Sequence, residues 1–215
     1  EAIITINRPI PRQDLEQIVP YASAREIVLN GPPDVVAYEC ACRATAGNPC
    51  DGPTQVCMVV GKPFTDFVLE HNPDQARRLT TAEAVQLLED EHARGHMHAA
   101  YFKDVMADRF YAICNCCPCC CAGIESMQQA GVPMVISSGY VAQVDDDLCI
   151  ACEACADVCP FDAITMGDVA IIDWEACMGC GVCEGQCTQE ALALVRDARK
   201  GDPLVVGDLI PPDGE

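Results

Sequence analysis

The fold of the C-terminal part of this chain is decided by the stretch Cys149-Ile-Ala-Cys152-Glu-Ala-Cys155-Ala-Asp-Val-Cys159-Pro160. A second copy follows, Cys177-Met-Gly-Cys180-Gly-Val-Cys183-Glu-Gly-Gln-Cys187-Thr188, and the constant offset from Cys149 to Cys177 is 28 residues. Self-similarity at a fixed offset indicates a duplicated structural unit. The sequence therefore predicts two related halves in this region.

Each copy has the spacing C-x2-C-x2-C-x3-C. Three thiolates from one short loop can reach three irons of a [4Fe–4S] cube, whereas the fourth lies on the next helical turn and faces away, toward the other cube. The prediction is one cluster held by Cys149, Cys152, Cys155 and Cys187, and a second held by Cys177, Cys180, Cys183 and Cys159. A zinc site would instead use two C-x2-C pairs separated by a longer loop.

The chain has 18 cysteines, and their grouping separates a disulfide framework from a metal protein. The cysteines fall in tight runs, which suit metal ligation because neighbouring thiolates converge on one centre and are poorly placed to bridge one another. Disulfides are therefore a minor alternative. Free thiols of this kind indicate a reducing compartment.

The duplicated segment resembles bacterial-type ferredoxins with two [4Fe–4S] clusters over about 50 residues, at all eight ligand positions. It departs from that family at Thr188, where a second proline is usual. The resemblance implies an α+β module with a pseudo-two-fold arrangement over residues 141–195 and low-potential transfer of single electrons.

Residues 1–140 are predicted to form a cysteine-rich domain of α/β (or α+β) class. Short apolar runs bounded by Gly and Pro predict strands, and capping residues with apolar periodicity predict helices. The expected strands are Val35–Glu39, Gln55–Val60, His98–Phe102 and Phe110–Cys114; the expected helices are Ser23–Leu29, one capped by Thr80 and ended by Gly95, and Ala122–Ala130, which ends at Gly131. A further short strand is expected at Val169–Ile172, and residues 196–215 are expected to be an extension on the surface.

Ten cysteines lie outside the repeat: Cys40, Cys42, Cys50, Cys57, Cys114, Cys116, Cys117, Cys119, Cys120 and Cys121. Adjacent strands would bring both groups to one edge of a sheet, so we predict one or two further iron–sulfur clusters with ligands from both groups. Cys114, Cys117 and Cys120 repeat the C-x2-C-x2-C spacing, with Cys116 and Cys119 interleaved. The alternative for individual thiols is a role as small buried hydrophobic residues; surplus thiols could also bind a second metal or react.

The N-terminal region is similar to a cysteine-rich domain of ferredoxin-like proteins from anaerobic bacteria, through Cys40-Ala41-Cys42-Arg43, Gly95-His96-Met97-His98 and the run from Asn115 to Cys121. This resemblance implies the architecture and no particular reaction. His98 is a candidate ligand or proton donor, or else a buried, hydrogen-bonded histidine. Arg43 could donate hydrogen bonds to cluster sulfur or hold an anion, or else form a surface ion pair.

The formal charge is −20, from 33 acidic and 13 basic side chains. This charge argues against a nucleic-acid partner and favours redox partner proteins that present basic patches. Glycine loops for nucleotides and phosphates are absent, so no nucleotide or flavin is expected. The N-terminal stretch Glu1–Pro11 lacks the pattern of a signal peptide, so we expect a cytoplasmic location. We also expect no membrane span. Because the sequence begins at Glu1, a leader lost before that residue is an alternative.

Three functions are compatible with these features. The leading hypothesis is a non-catalytic electron-transfer protein, or such a subunit of a larger oxidoreductase complex. The second is an iron–sulfur reductase subunit whose N-terminal cluster is the catalytic site. The third is a redox or metal sensor that uses the surplus thiols of Cys114 to Cys121.

Overall fold

The structure is a computed structural model that describes residues 16–47, 49–103 and 109–209. The segment Glu1–Pro11, expected not to be a signal peptide, and the last six residues of the extension lie outside the described residues.

A seven-stranded sheet forms the centre of the N-terminal region. Its strands are β1 (Glu16–Val19), β2 (Val35–Glu39), β3 (Gln55–Val60), β4 (Ala76–Leu79), β5 (Met97–Lys103), β6 (Arg109–Cys116) and β7 (Val135–Ile136). The order across the sheet is β4-β2-β3-β6-β5-β1-β7. All neighbours run antiparallel except β1 and β7, which are parallel.

Five helices accompany this sheet: α1 (Tyr21–Asn30), α2 (Ala41–Thr45), α3 (Phe64–His71), α4 (Thr81–Ala93) and α5 (Ala122–Ala130). Helices α1 and α4 contact each other and cover one face of the sheet, where Ile27 and Leu88 are fully buried with Met58 of β3. Burying such side chains stabilises the fold by roughly 1.5 to 3 kcal/mol each. The mixed α/β character predicted for the cysteine-rich region is confirmed.

The helix predicted from Thr80 is confirmed by its N-terminus. The Thr80 hydroxyl accepts a hydrogen bond from the Glu83 amide, and the Glu83 carboxylate accepts one from the Thr80 amide at 2.8 Å, which is a complete capping box. The predicted strands 35–39 and 55–60 and the predicted helix 122–130 have the expected bounds. Three other predicted elements of this region, α1, β5 and β6, extend beyond the predicted range.

The C-terminal region contains two small antiparallel strand pairs and two short helices. Strand β8 (Tyr140–Val144) pairs with β11 (Leu192–Arg196), and β9 (Ile164–Met166) pairs with β10 (Ala170–Ile172). The helices α6 (Ala154–Asp157) and α7 (Val182–Gln186) each lie within one copy of the cysteine pattern. The expected strand at Val169–Ile172 is observed as β10, one residue shorter.

The chain after β11 returns to the N-terminal sheet. It forms two 3₁₀ helices, Ala198–Lys200 and Val206–Leu209, and buried Val206 packs into the core beneath α1. The Gln17 side-chain amide donates to the Asp202 carbonyl at 2.8 Å. The extension therefore joins the two regions through packing and hydrogen bonds.

Candidate metal centres

One four-thiol cavity lies in the first half of the repeat. The thiols that line it are those of Cys149, Cys152, Cys155 and Cys187, so three come from the first copy of the pattern and one from the second. Apolar side chains, including Met166 and Leu192, complete the wall.

A second four-thiol cavity lies in the other half. Its thiols are those of Cys177, Cys180, Cys183 and Cys159, with the contribution of the two copies reversed. Phe161, Met178 and Leu194 supply apolar wall. The two cavities match the two sets of four thiols that a pair of cubanes needs.

Backbone amides point at several of these sulfurs. The Ala163 amide donates to the Cys159 sulfur at 3.3 Å and the Ala191 amide donates to the Cys187 sulfur at 3.4 Å, again at the offset of the repeat. Amide donors stabilise thiolates and tune the potential of iron–sulfur clusters. Burial raises the pKa of the Cys180 thiol to about 12, so its ionised form would need a cation beside it.

The backbone of the two halves shares an uncommon conformation. Ala151 and Glu153 have positive φ angles of 52° and 67°, and their counterparts in the second copy, Gly179 and Gly181, have φ angles of 66° and 79°. Glycine is required at 179 for a second reason, because an added Cβ would collide with the Tyr140 carbonyl of β8. These residues curl the loop so that its thiols face one cavity.

The two cavities differ in their access to solvent. In the first, Cys152 is exposed and Cys149 and Cys187 are partly exposed. In the second, Cys177, Cys180 and Cys183 are all buried. The first cavity therefore lies at the surface and the second lies inward.

A ring of six thiols lies in the N-terminal region. Each thiol interacts through its side chain with two others, in the closed order Cys40, Cys57, Cys114, Cys116, Cys121, Cys42 and back to Cys40. We call this set the six-thiol ring. All six line one cavity, whose wall also includes Cys117, Cys120, Tyr38, Tyr101 and Met134.

The sheet explains why these six meet. Strands β2, β3 and β6 are adjacent and antiparallel, so the end of β2, the start of β3 and the end of β6 lie at one edge. Cys114 and Cys116 are two positions apart on β6 and point to the same face. Cys121 is the N-cap of α5 and completes the ring from the other side.

A separate group of four thiols, which we call the tetrad, consists of Cys50, Cys117, Cys119 and Cys120. Their sulfur atoms all lie within 4.8 Å of one another. The interleaved C-x2-C-x2-C spacing is thus divided by the fold: Cys114 belongs to the six-thiol ring, whereas Cys117 and Cys120 belong to the tetrad. The division arises because the chain leaves β6 after Cys116 and turns.

Arg43 lies between the two thiol groups and is fully buried. It pairs with buried Glu91 at 3.0 Å, and its guanidinium also donates to the carbonyls of Pro53 and Asn115. The sequence-based alternative that Arg43 forms an ion pair at the surface is wrong, because its ion pair with Glu91 is buried. Burial raises the pKa of Glu91, but His96 and Arg43 outweigh that effect and hold it below its usual range.

His98 is fully buried and is not among the residues that line the six-thiol cavity. Its Nδ1 lies 2.6 Å from the Asn115 side-chain oxygen, and Tyr21 and His92 stack nearby. Burial lowers the pKa of His98 to about 4, so the ring is neutral at physiological pH. Its position is that of a hydrogen-bonded core histidine.

Two residues of this network were missed from the sequence. Glu91 continues the buried stripe of α4 at helical spacing from Ala84 and Leu88, and a carboxylate on such a stripe signals a buried partner. The side chain of Asn115 bridges His98 to the Val56 carbonyl. Asn115 faces away from the flanking cysteines on β6, which the alternation of a strand indicates.

Comparison with known protein families identifies the repeat. Residues 142–165 and 170–193 each match the family model of the 4Fe-4S binding domain. The C-terminal region is therefore a ferredoxin-type module with two tandem motifs. No curated protein matches the chain. Among the described residues, no helix has the length and apolar character needed to cross a membrane.

Proposed function

We propose that this protein transfers single electrons through two [4Fe–4S] clusters in the ferredoxin-type module and a third iron–sulfur centre in the six-thiol ring. The observation that carries the proposal is the pair of four-thiol cavities inside the matched segments. The proposed ligands are Cys149, Cys152, Cys155 and Cys187 for the outer cluster, and Cys177, Cys180, Cys183 and Cys159 for the inner one. When bound, such clusters take up and release one electron at a time.

The packing between the two regions supports a connected path. Cys180 of the inner cavity shares one buried apolar cluster with Cys116 and Cys121 of the six-thiol ring. Val182 and Met97 belong to the same cluster and exclude water from the space between the two sites. Helix α7 is held on α4 by the Gln186 side chain, which donates to the carbonyls of His92 and Ala93 at 3.2 Å.

The outer cavity is the proposed point of contact with a redox partner protein. Cys152 is exposed there, and Asp145, Asp146, Asp147 and Glu190 line an adjacent groove. With a chain charge of −20, this acidic surface favours a partner that presents basic side chains. We also propose that the chain is a subunit of a larger oxidoreductase complex.

The chain's own residues hold the centres and set their surroundings. Backbone amides donate to the cysteine sulfurs, apolar side chains keep water from the inner site, and Arg43 places a positive charge beside the six-thiol ring. Positive charge and hydrogen bonds at a thiolate-rich site raise the reduction potential of a cluster bound there.

A reductive titration tests the function. The anaerobic protein is titrated with a europium(II) chelate and then reoxidised with a viologen, and the electrons are counted. We expect reversible uptake of about three or more electrons by the wild type and of about two by the variant Cys114→Ser/Cys116→Ser, since one electron per cluster remains in the module. Equal uptake by both proteins would contradict the third centre, and absence of reversible uptake would contradict electron transfer.

A further inference from the structure

We propose that the tetrad binds one divalent ion of the zinc or ferrous type in tetrahedral coordination, without inorganic sulfide, as a site separate from the six-thiol ring. The ligands are the sulfurs of Cys50, Cys117, Cys119 and Cys120. The ten cysteines of the N-terminal region are thereby divided into six for a cluster and four for a single ion.

The distances between the sulfurs carry the proposal. The Cys50 sulfur lies 3.9 Å from that of Cys117 and 3.6 Å from that of Cys120, and the sulfurs of Cys119 and Cys120 are 3.6 Å apart. Four thiolates at about 2.3 Å from one tetrahedral ion would be about 3.8 Å from one another. The four ligands of a cubane each bind a different iron and so lie farther apart. The tetrad therefore fits one ion.

The tetrad is also distinct from the six-thiol ring in its contacts. The Cys119 thiol is hydrogen-bonded to that of Cys120, and the thiols of Cys117 and Cys120 are hydrogen-bonded to that of Cys50. The side-chain interactions among the ring thiols form a closed circuit that includes none of these four, although Cys117 and Cys120 also line the six-thiol cavity. The two groups are therefore adjacent, and each has enough thiols for a centre of its own.

The local backbone supplies the arrangement that a single ion needs. Cys117 and Cys120 form a C-x2-C turn in which the Cys120 amide donates to the Cys117 carbonyl at 3.3 Å. Cys50 comes from the loop between α2 and β3, and Asp51 beside it has a φ of 48°. A C-x2-C turn is a common element of Cys₄ structural sites; here Cys119 within the turn and Cys50 from the loop take the place of the usual second C-x2-C pair.

The proposed ion would hold two segments of the chain together. The ion would join the loop before β3 to the turn after β6, and Cys117 and Cys120 of that turn line the six-thiol cavity. The same loop presents the Pro53 carbonyl to Arg43, and a Cβ at Gly52 would lie 3.4 Å from the Arg43 guanidinium. The tetrad thus fixes the loop that packs on the buried arginine beside the ring.

Metal analysis and X-ray absorption test the proposal on the full chain, purified anaerobically without added metal. We expect either zinc with four sulfur neighbours at about 2.3 Å, or one iron in excess of the acid-labile sulfide. The metal that is found identifies the ion as zinc or iron, and either result supports the site. Absence of any such ion, or a disulfide between tetrad cysteines in the anaerobic protein, would overturn it.

A variant with a matched control assigns the ligands. Cys119 is exposed, so Cys119→Ser leaves the core packing intact. In competition with a chelator, this variant should bind the ion more weakly than the wild type. The loss of affinity should exceed the roughly 10- to 100-fold that follows from loss of a residue that only positions a ligand. Asp51→Asn, on the same loop and tolerant of positive φ, should retain the ion. Loss of sulfide in Cys119→Ser would show that the tetrad belongs to the cluster and overturn the division.

Discussion

Cys187→Ser should alter the same cluster as Cys152→Ser, although Cys187 belongs to the other copy of the repeat. Cys187 lines the outer cavity with Cys149, Cys152 and Cys155, so its loss removes a ligand from that cluster. We expect a loss of up to about four irons and four sulfides, with the inner cluster retained. The measurement is iron and sulfide content with the EPR spectrum and the potential of the remaining cluster.

The control for this experiment is Cys183→Ser, which removes a ligand from the inner cavity within the second copy. Crossed ligation predicts that Cys187→Ser gives the spectrum of Cys152→Ser and that Cys159→Ser gives the spectrum of Cys183→Ser. If Cys187→Ser instead matched Cys183→Ser, each copy would hold its own cluster, and the ligand assignment would be wrong.

Arg43→Leu should lower the stability of the protein more than removal of any exposed charged side chain does. The substitution leaves the Glu91 carboxylate buried with His96 and Arg94 as its remaining partners. Removal of one member of a buried ion pair costs about 3 to 5 kcal/mol. For a domain of this size, such a loss lowers the melting temperature by about 6 to 20 °C. The measurement is thermal unfolding under anaerobic conditions by circular dichroism.

The matched control is Arg77→Leu, which removes an exposed arginine paired with Glu83 at 3.6 Å. Exposed pairs contribute little because water already solvates both charges. A shift in Arg43→Leu no larger than that in Arg77→Leu would contradict the structural role of the buried pair. A double variant, Arg43→Leu/Glu91→Leu, should recover part of the loss because no buried carboxylate is left without its arginine, and Arg94, which also loses its partner, is solvated at the surface.

Sequence reasoning predicted the elements whose signals are local. The capping box at Thr80 and the glycine at Gly131, whose φ is 62°, mark helix ends without reference to the rest of the fold. Strands β1, β4 and β7 were not predicted because they have two to four residues and depend on pairing with distant strands. The duplicated cysteine pattern could be recognised from the sequence because the spacing of its cysteines reflects the geometry of cubane ligands.

The division of the other ten cysteines could not be read from spacing. Interleaved C-x2-C patterns allow several groupings, and the end of β6 after Cys116 decides among them. The alternation of Cys114 and Cys116 about Asn115 was the one local signal of a shared face. Cys50 gave no local signal at all, because its approach to Cys117 and Cys120 depends on the path of a loop.

The acid-labile sulfide content per chain, measured after anaerobic reconstitution, shows whether the chain holds two [4Fe–4S] clusters and a third iron–sulfur centre, because a single ion in the tetrad brings no sulfide. We expect about eight sulfides from the ferredoxin-type module and about two or more in addition from the six-thiol ring. A value of about eight would contradict the third centre, and a value of about four would contradict the two-cluster module.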